Sequence, residues 1–282
     1  MNKGFKTMHA SLLAAAKRVL EPGLRPSFSF IAPENLRRLG SDYGGWVFCH
    51  HDNLLGSNVL LAGAGEDISF DVEFAKRYSA TAIICDPTPR AIAHYDKVVE
   101  RLGKQAVEGY SLTGSQPMEA YNLDGLDISQ LRFVPRALSA ASGEGKFYTP
   151  VDPRHVSHSL TNWQRGFTKE GEFLKVRTTS VKQVAEEFGV KTFPLIKLDI
   201  EGSELEIISD VIAVMNDESQ LLVEFDGLLR KTHRDVRRAE DAVAELAQSG
   251  FYPVWGDKTN FLFVGERLID GSQNVEKILH KG

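Results

Sequence analysis

Two apolar runs, each ending in a polar turn, constrain this 282-residue chain more than anything else in it. The first is NVLLAGAGEDISFD, Asn58 to Asp71, and the second is TAIICDPTP, Thr81 to Pro89. Each opens as the kind of short apolar segment that is buried on both faces of a parallel sheet. The first then turns through Gly63 and Gly65, where a missing Cβ permits left-handed backbone and the close approach of a ligand. The second ends in a lone carboxylate, Asp86. It follows Gly63 at roughly the spacing of one strand–helix–strand unit, about 20 residues. Such a unit sets a ligand's polar end over the glycine turn and its ribose hydroxyls against the acid. The expectation is a nucleoside-containing cofactor held by Gly63, Ala64, Gly65, Glu66 and Asp67 on one side and Asp86, Pro87 and Thr88 on the other. Two loop glycines and an acid capping a helix are the bland alternative for the same residues.

The elements that follow fix the fold class. Helical spacing is read over Phe70–Tyr78, Arg90–Leu102, Val181–Phe188, Glu204–Met215 and Val236–Ser249. Strands are read at Asn58–Ala62, Thr81–Cys85, Arg132–Leu138, Leu195–Ile200 and Gln220–Phe225, with a short hairpin-like piece at Gly145–Tyr148. Phe251–Trp255 and Asn260–Val264 have no helix between them, so they pair antiparallel. The expected architecture is α/β: a Rossmann-like, seven-stranded, mostly parallel sheet with a C-terminal antiparallel hairpin and helices on both faces. That hairpin is the arrangement of class I methyltransferases, whereas a dinucleotide-binding domain continues strand–helix–strand through its second half. Residues 46–268 form the expected main domain, after a helical extension and lead-in segment at 1–45 and before a tail at 269–282.

Composition removes several classes. A net charge of −5 argues against the dense cationic surface that broad nucleic-acid binding needs. No run approaches the roughly 20 apolar residues of a membrane span. The segment MNKGFKTMHASLLAAAKRVLEPG reads as an amphipathic helix ended near Pro22 and Gly23, able to cap the core or to join two copies into a homodimer. Cys49 and Cys85 lie in apolar runs without metal or redox spacing, which fits buried thiols in a reducing, cytoplasmic setting.

Acid collects at two further strand ends. LIKLDIEGSELEII carries Asp199 and Glu201, and LLVEFD carries Glu224 and Asp226. Carboxylates at the edge of apolar strands need partners, and they mark a site or a helix cap. Asp199, Glu201 or Glu224 also suit a divalent metal such as magnesium joined to a diol-like substrate, but a dedicated ligand motif is missing and no metal is assigned. The loop HVSHSL offers His158 as a proton acceptor, or simply as a surface histidine. Arg230 opens the basic segment RKTHRDVRR, suited to an anionic substrate group or to a solvated helix start.

Taken together, these segments resemble the FkbM family of S-adenosylmethionine-dependent methyltransferases from about Leu36 to Val264. The sharpest piece is LIKLDIEGSELEII; RLGSDYGGWVF, ICDPTP, FVPRALSAASGEGKFY, HSL and GFYPVWGDKTNFLFV fit in order around it. The resemblance implies S-adenosyl-L-methionine as cofactor and, most often, O-methylation of a sugar or small secondary metabolite. It implies that Gly63 and Gly65 meet the methionine part, Asp86 the ribose and Ser139 the adenine. Asp199 would lie between cofactor and acceptor, with Glu201 and Glu224 helping to shape the acceptor pocket. His158, Asp199 and Glu224 are the candidate bases. Two departures stand out: Leu61 replaces the usual carboxylate before the turn, and Asp67 replaces a third glycine. An NAD(P)-dependent oxidoreductase, or a methyltransferase fold that binds without catalysis, are the competing readings.

Overall fold

The structure is a computed structural model that describes residues 35–148, 160, 173–230 and 233–270. The amphipathic helix expected near the N-terminus, His158 and all but the first two residues of the tail expected at 269–282 lie outside the described residues.

The chain opens with β1 (Leu36–Leu39) and β2 (Trp46–Cys49), an antiparallel pair. The boundary expected between 45 and 46 falls inside this pair. Then come β3 (Asn58–Ala62), α1 (Ser69–Tyr78), β4 (Thr81–Cys85), α2 (Pro89–Val99), β5 (Leu131–Val134), β6 (Ala137–Leu138) and β7 (Gly143–Tyr148). Next are β8 (Phe173–Thr179), α3 (Val181–Glu187), β9 (Leu195–Leu198), α4 (Ile208–Ile212), β10 (Gln220–Glu224) and α5 (His233–Gln248). The hairpin β11 (Phe251–Asp257) and β12 (Asn260–Gly265) precedes a short α6 (Glu266–Asp270). Seven strands form one mixed sheet in the order β11-β12-β10-β9-β3-β4-β5. The five central and edge strands β10, β9, β3, β4 and β5 run parallel, and β12 and β11 pair antiparallel at the other edge.

Strand alternation divides the core in two. Val59 and Leu61 face the side packed by α1 and α2, while Leu60 and Ala62 face α3, α4 and α5. On the first side Phe48, Phe70, Phe74 and Tyr78 meet with ring centroids 4.7–6.1 Å apart. Aromatic contacts of this geometry add about 1 kcal/mol each beyond their buried area, so they anchor α1 behind the glycine turn. Both cysteines are free and buried, and burial pushes the Cys49 thiol up to about 11.

Three expectations shift. The strand read as Arg132–Leu138 stops at Val134, because Pro135 has no N–H and Arg136 turns back onto the Val134 carbonyl at 2.7 Å. Ala137 and Leu138 instead join Thr178 and Thr179 of β8 in a separate three-stranded sheet with β7. β8 itself is a strand that the sequence pattern does not announce. The strand read to Ile200 ends at Leu198, since Glu201 takes a left-handed φ of 58°. The helix read as Glu204–Met215 is a 3-10 turn at Glu204–Glu206 and then α4, separated by a non-helical Ile207.

Candidate active site

A cleft of about 900 Å³ opens at the carboxyl ends of β3, β4, β9 and β10. From β3 the chain runs outward to β4 and β5, then crosses back to β9 and β10, so the cleft sits where strand order reverses. Open α/β sheets bind ligands at that point.

The glycine turn is built by contact from both flanks. Gly63 has φ 86°, and a Cβ there would stand 1.8 Å from the Asp199 carbonyl oxygen. Asp199 in turn donates its N–H to the Ala62 carbonyl at 3.1 Å, and Gly63 donates to that of Cys85 at 3.0 Å. Beneath the turn the buried Lys197 donates to the Gly63 carbonyl at 2.6 Å and lies 5.6 Å from the Trp46 ring centroid.

Asp86 is committed to the protein. One oxygen accepts the N–H groups of Ala64 and Gly65, both at 3.0 Å. The other accepts the N–H and hydroxyl of Thr88 at 2.8 and 2.7 Å. A carboxylate has about four lone-pair positions, so the ribose contact expected of Asp86 falls on an acid whose positions are already used. Thr88, not Asp86, caps α2, through a bond from Ala91. Pro87 lines the cleft beside it.

The two acids at the departure from the glycine pattern are likewise occupied. Asp67 accepts from the Ser41 hydroxyl at 2.5 Å, from Gln116 at 2.9 Å and from the Ser69 N–H at 3.0 Å. Glu66 pairs with Arg90. Ala137 and Leu138 form the cleft wall near β5, whereas Ser139 donates its N–H to Thr179 at 3.0 Å.

Across the cleft the acids are less satisfied. Glu201 and Gly202 form a left-handed turn, with φ 58° and 97°, clamped by the buried Glu204, which accepts the N–H groups of Ile200 and Gly202 at 3.1 and 2.9 Å. Burial pushes Glu204 up to about 8. Burial also raises Asp199, and Lys197 opposes the rise. Glu224 accepts from the Thr259 hydroxyl at 2.6 Å; burial and then Asp199 push it up to about 7. Asp226, 5% exposed, is pushed up to about 11 by burial and then by Glu204. Arg230 closes the 3-10 helix that Asp226 begins.

Asp86, Asp199, Glu201, Glu224 and the glycine turn are therefore gathered in one cleft. Lys197, Thr259 and Asn260 join them without having stood out as site residues in the sequence, and Glu204 lies behind the Glu201–Gly202 turn. Lys197 carried a signal, a cation at the centre of an apolar strand. Thr259 and Asn260 carried none, because the β12 hairpin brings them to Glu224 only in three dimensions. Seven carboxylates and two ammonium groups line the cleft. Among the described residues no group of three or more side chains is placed to hold a metal ion, and no helix is long and apolar enough to cross a membrane.

No curated protein sequence matches the chain significantly. Among solved structures it is similar to a TehB-like SAM-dependent methyltransferase from Corynebacterium glutamicum, at 12% identity and TM-score 0.34, covering 76% of this chain and 86% of that one. It is also similar to a precorrin-6y C5,15-methyltransferase from Geobacter metallireducens, at 9% identity and TM-score 0.34, covering 75% and 81%. Likenesses this distant decide nothing about chemistry. The family comparison is decisive: the methyltransferase FkbM domain matches residues 59–235, more than half of the sequence, and the chain belongs to that family.

Proposed function

We propose that the chain is an S-adenosylmethionine-dependent O-methyltransferase acting on a hydroxyl of a sugar or small metabolite. The observation that carries this reading is the cleft at the strand-order reversal, where a clamped glycine turn faces a wall of carboxylates. The bound cofactor would supply an electrophilic methyl on a sulfonium. Gly63, Ala64 and Gly65 would hold its amino-acid end, with Asp199 beside them. Asp86 fixes the turn that receives it, and a ribose hydroxyl would have to share that carboxylate with the protein's own donors. Ala137, Leu138 and Pro87 offer apolar surface for a base.

The protein's own work is alignment, exclusion of water and removal of one proton. Glu224 is suited to taking that proton, because a carboxylate near 7 is half protonated at neutral pH, where general-base efficiency is greatest. Its bond from Thr259 orients it. Asp199 and His158 are the other sequence candidates, and E224Q and H158N separate them by which loses turnover while keeping cofactor affinity.

Calorimetric titration with S-adenosylmethionine, S-adenosylhomocysteine and NAD tests the reading. The first two are expected to bind and NAD is not. Binding of NAD alone would move the assignment to an oxidoreductase, and binding of none of them to a non-catalytic member of the family.

A further inference from the structure

The acids on the two sides of the cleft differ in a way that methyl transfer alone does not require. Around the glycine turn each carboxylate has donors from the chain: Asp86 has four, Asp67 has three and Glu66 has Arg90. At the ends of β10 and β12 the balance reverses. Glu224 ends β10, where alternation turns its carboxylate away from the Phe225 side of the core, and Asp226 begins the 3-10 helix that follows. Asn260 is the register partner of Glu224 on β12. All three line the cleft.

Here acceptors outnumber donors. Asp226 Oδ2 is buried and has no hydrogen-bond partner among the described residues, and Asn260 Oδ1 is in the same condition. The Thr259 hydroxyl spends its proton on Glu224. Lys258, at the hairpin turn, acts on Glu224 only through space. Buried polar atoms are nearly always paired, so two orphaned oxygens on residues that line one cleft call for a ligand with donors.

We propose that this corner binds an ammonium group, so that the methyl acceptor is an amino-bearing alcohol, such as an amino sugar or amino alcohol. An ammonium carries three N–H donors for the Asp226 and Asn260 oxygens, and a positive charge opposite to that of the Asp226 carboxylate. A neutral hydroxyl offers one donor and no charge, and a phosphate or carboxylate would be repelled. The described residues provide no three-ligand set for a metal. The cofactor's own ammonium would lie nearer the glycine turn, beside Asp199 at the end of β9, whereas Asn260 stands on β12, beyond β10. β10 and β9 separate β12 from β3, and three strand spacings of about 4.8 Å put Asn260 roughly 14 Å from the glycine turn. The acceptor's identity rests on the methyl-transfer reading; the ammonium site does not.

The experiment is calorimetry on the full chain, with and without saturating S-adenosylhomocysteine. Glucosamine and ethanolamine are the probes, and glucose and ethylene glycol are their neutral counterparts. The amines are expected to bind at least tenfold more tightly than the neutral compounds. Both Asp226→Asn and Asn260→Leu should weaken the amines at least tenfold while leaving S-adenosylhomocysteine affinity unchanged, which also reports that each variant is folded. Equal binding of neutral compounds, no amine binding, amine affinity unchanged in both variants, or displacement of the amine by millimolar magnesium would each overturn the proposal. Failure of S-adenosylhomocysteine to bind would instead sink the methyl-transfer reading, and the amine titration of the unloaded chain would still decide the ammonium site.

Discussion

Lys197 donates to the carbonyl of Gly63 at 2.6 Å from a side chain only 3% exposed, so a buried cation props the cofactor turn from below. The nearby Asp71 on α1 is fully buried, and neither of its oxygens has a hydrogen-bond partner among the described residues. Burial pushes it up to about 6, and Lys197 is the strongest influence in the opposite direction. K197M should remove the charge-assisted bond to Gly63 and expose Asp71 to unopposed burial. The expected loss is about 2–3 kcal/mol of stability, read by urea unfolding. S-adenosylhomocysteine affinity should fall roughly tenfold, the equivalent of about 1.4 kcal/mol. Adding D71N to K197M should restore stability in part without restoring the affinity. Equal affinity in K197M and the parent would show that the turn holds itself.

Most of the sheet was legible because its strands obey one rule. Asn58–Ala62 and Thr81–Cys85 are short apolar runs stopped by glycine or proline, and they fold with those bounds. The closing hairpin was legible from the missing helix between its strands. What escaped depends on contacts distant in sequence. β8 is recognisable only once β6 and β7 flank it, since its residues alternate between exposed and buried without a strong apolar content. In the site, the sequence named Asp86 as the acid of the second strand end. Its commitment to Ala64, Gly65 and Thr88 is a matter of loop geometry that spacing cannot carry. Asp67 reads as a free acid in a glycine turn, yet its three donors come from segments before, within and after that turn.

Replacing Asp86 by Asn tests that commitment. The amide group would bring two N–H donors to a position where the protein presents N–H donors on both sides. At least one pair must then face donor to donor. D86N should cost about 1–3 kcal/mol in unfolding free energy and abolish detectable S-adenosylhomocysteine binding. A variant that keeps parental stability but loses binding would show instead that Asp86 mainly serves the ligand.

Gly63 and Gly56 make a controlled pair. Both have positive φ, 86° and 64°, but a Cβ at Gly56 meets nothing within 4 Å, whereas at Gly63 it collides with the Asp199 carbonyl. G56A should therefore cost only the left-handed backbone penalty, about 1–2 kcal/mol. G63A must also separate β3 from β9 at their ends, and is expected to cost about 3 kcal/mol or more and to remove cofactor binding. Equal denaturation midpoints for the two variants would mean that the strand ends yield easily.

The buried acids set the pH dependence of the ligand-free protein. Glu224 is raised to about 7 and Glu204 to about 8, against an unfolded value of about 4.3 for glutamate. Between those values the folded chain holds protons that the unfolded chain has released. Their contribution to stability is complete below the unfolded value and is lost as pH rises through 7 and 8. On these two groups the ligand-free protein should unfold at a lower temperature at pH 8.5 than at pH 5.5, the reverse of a protein held by salt-bridged carboxylates. E204Q keeps an oxygen for the N–H groups of Ile200 and Gly202 but cannot ionise. It should make the fall with pH shallower between about pH 5 and 8, leaving the parts due to Glu224 and to Asp226, which is raised to about 11. Unfolding temperatures of parent and variant across that range check both statements. A parental profile that rises with pH would mean that these carboxylates are ionised in the folded chain and are stabilised by cations.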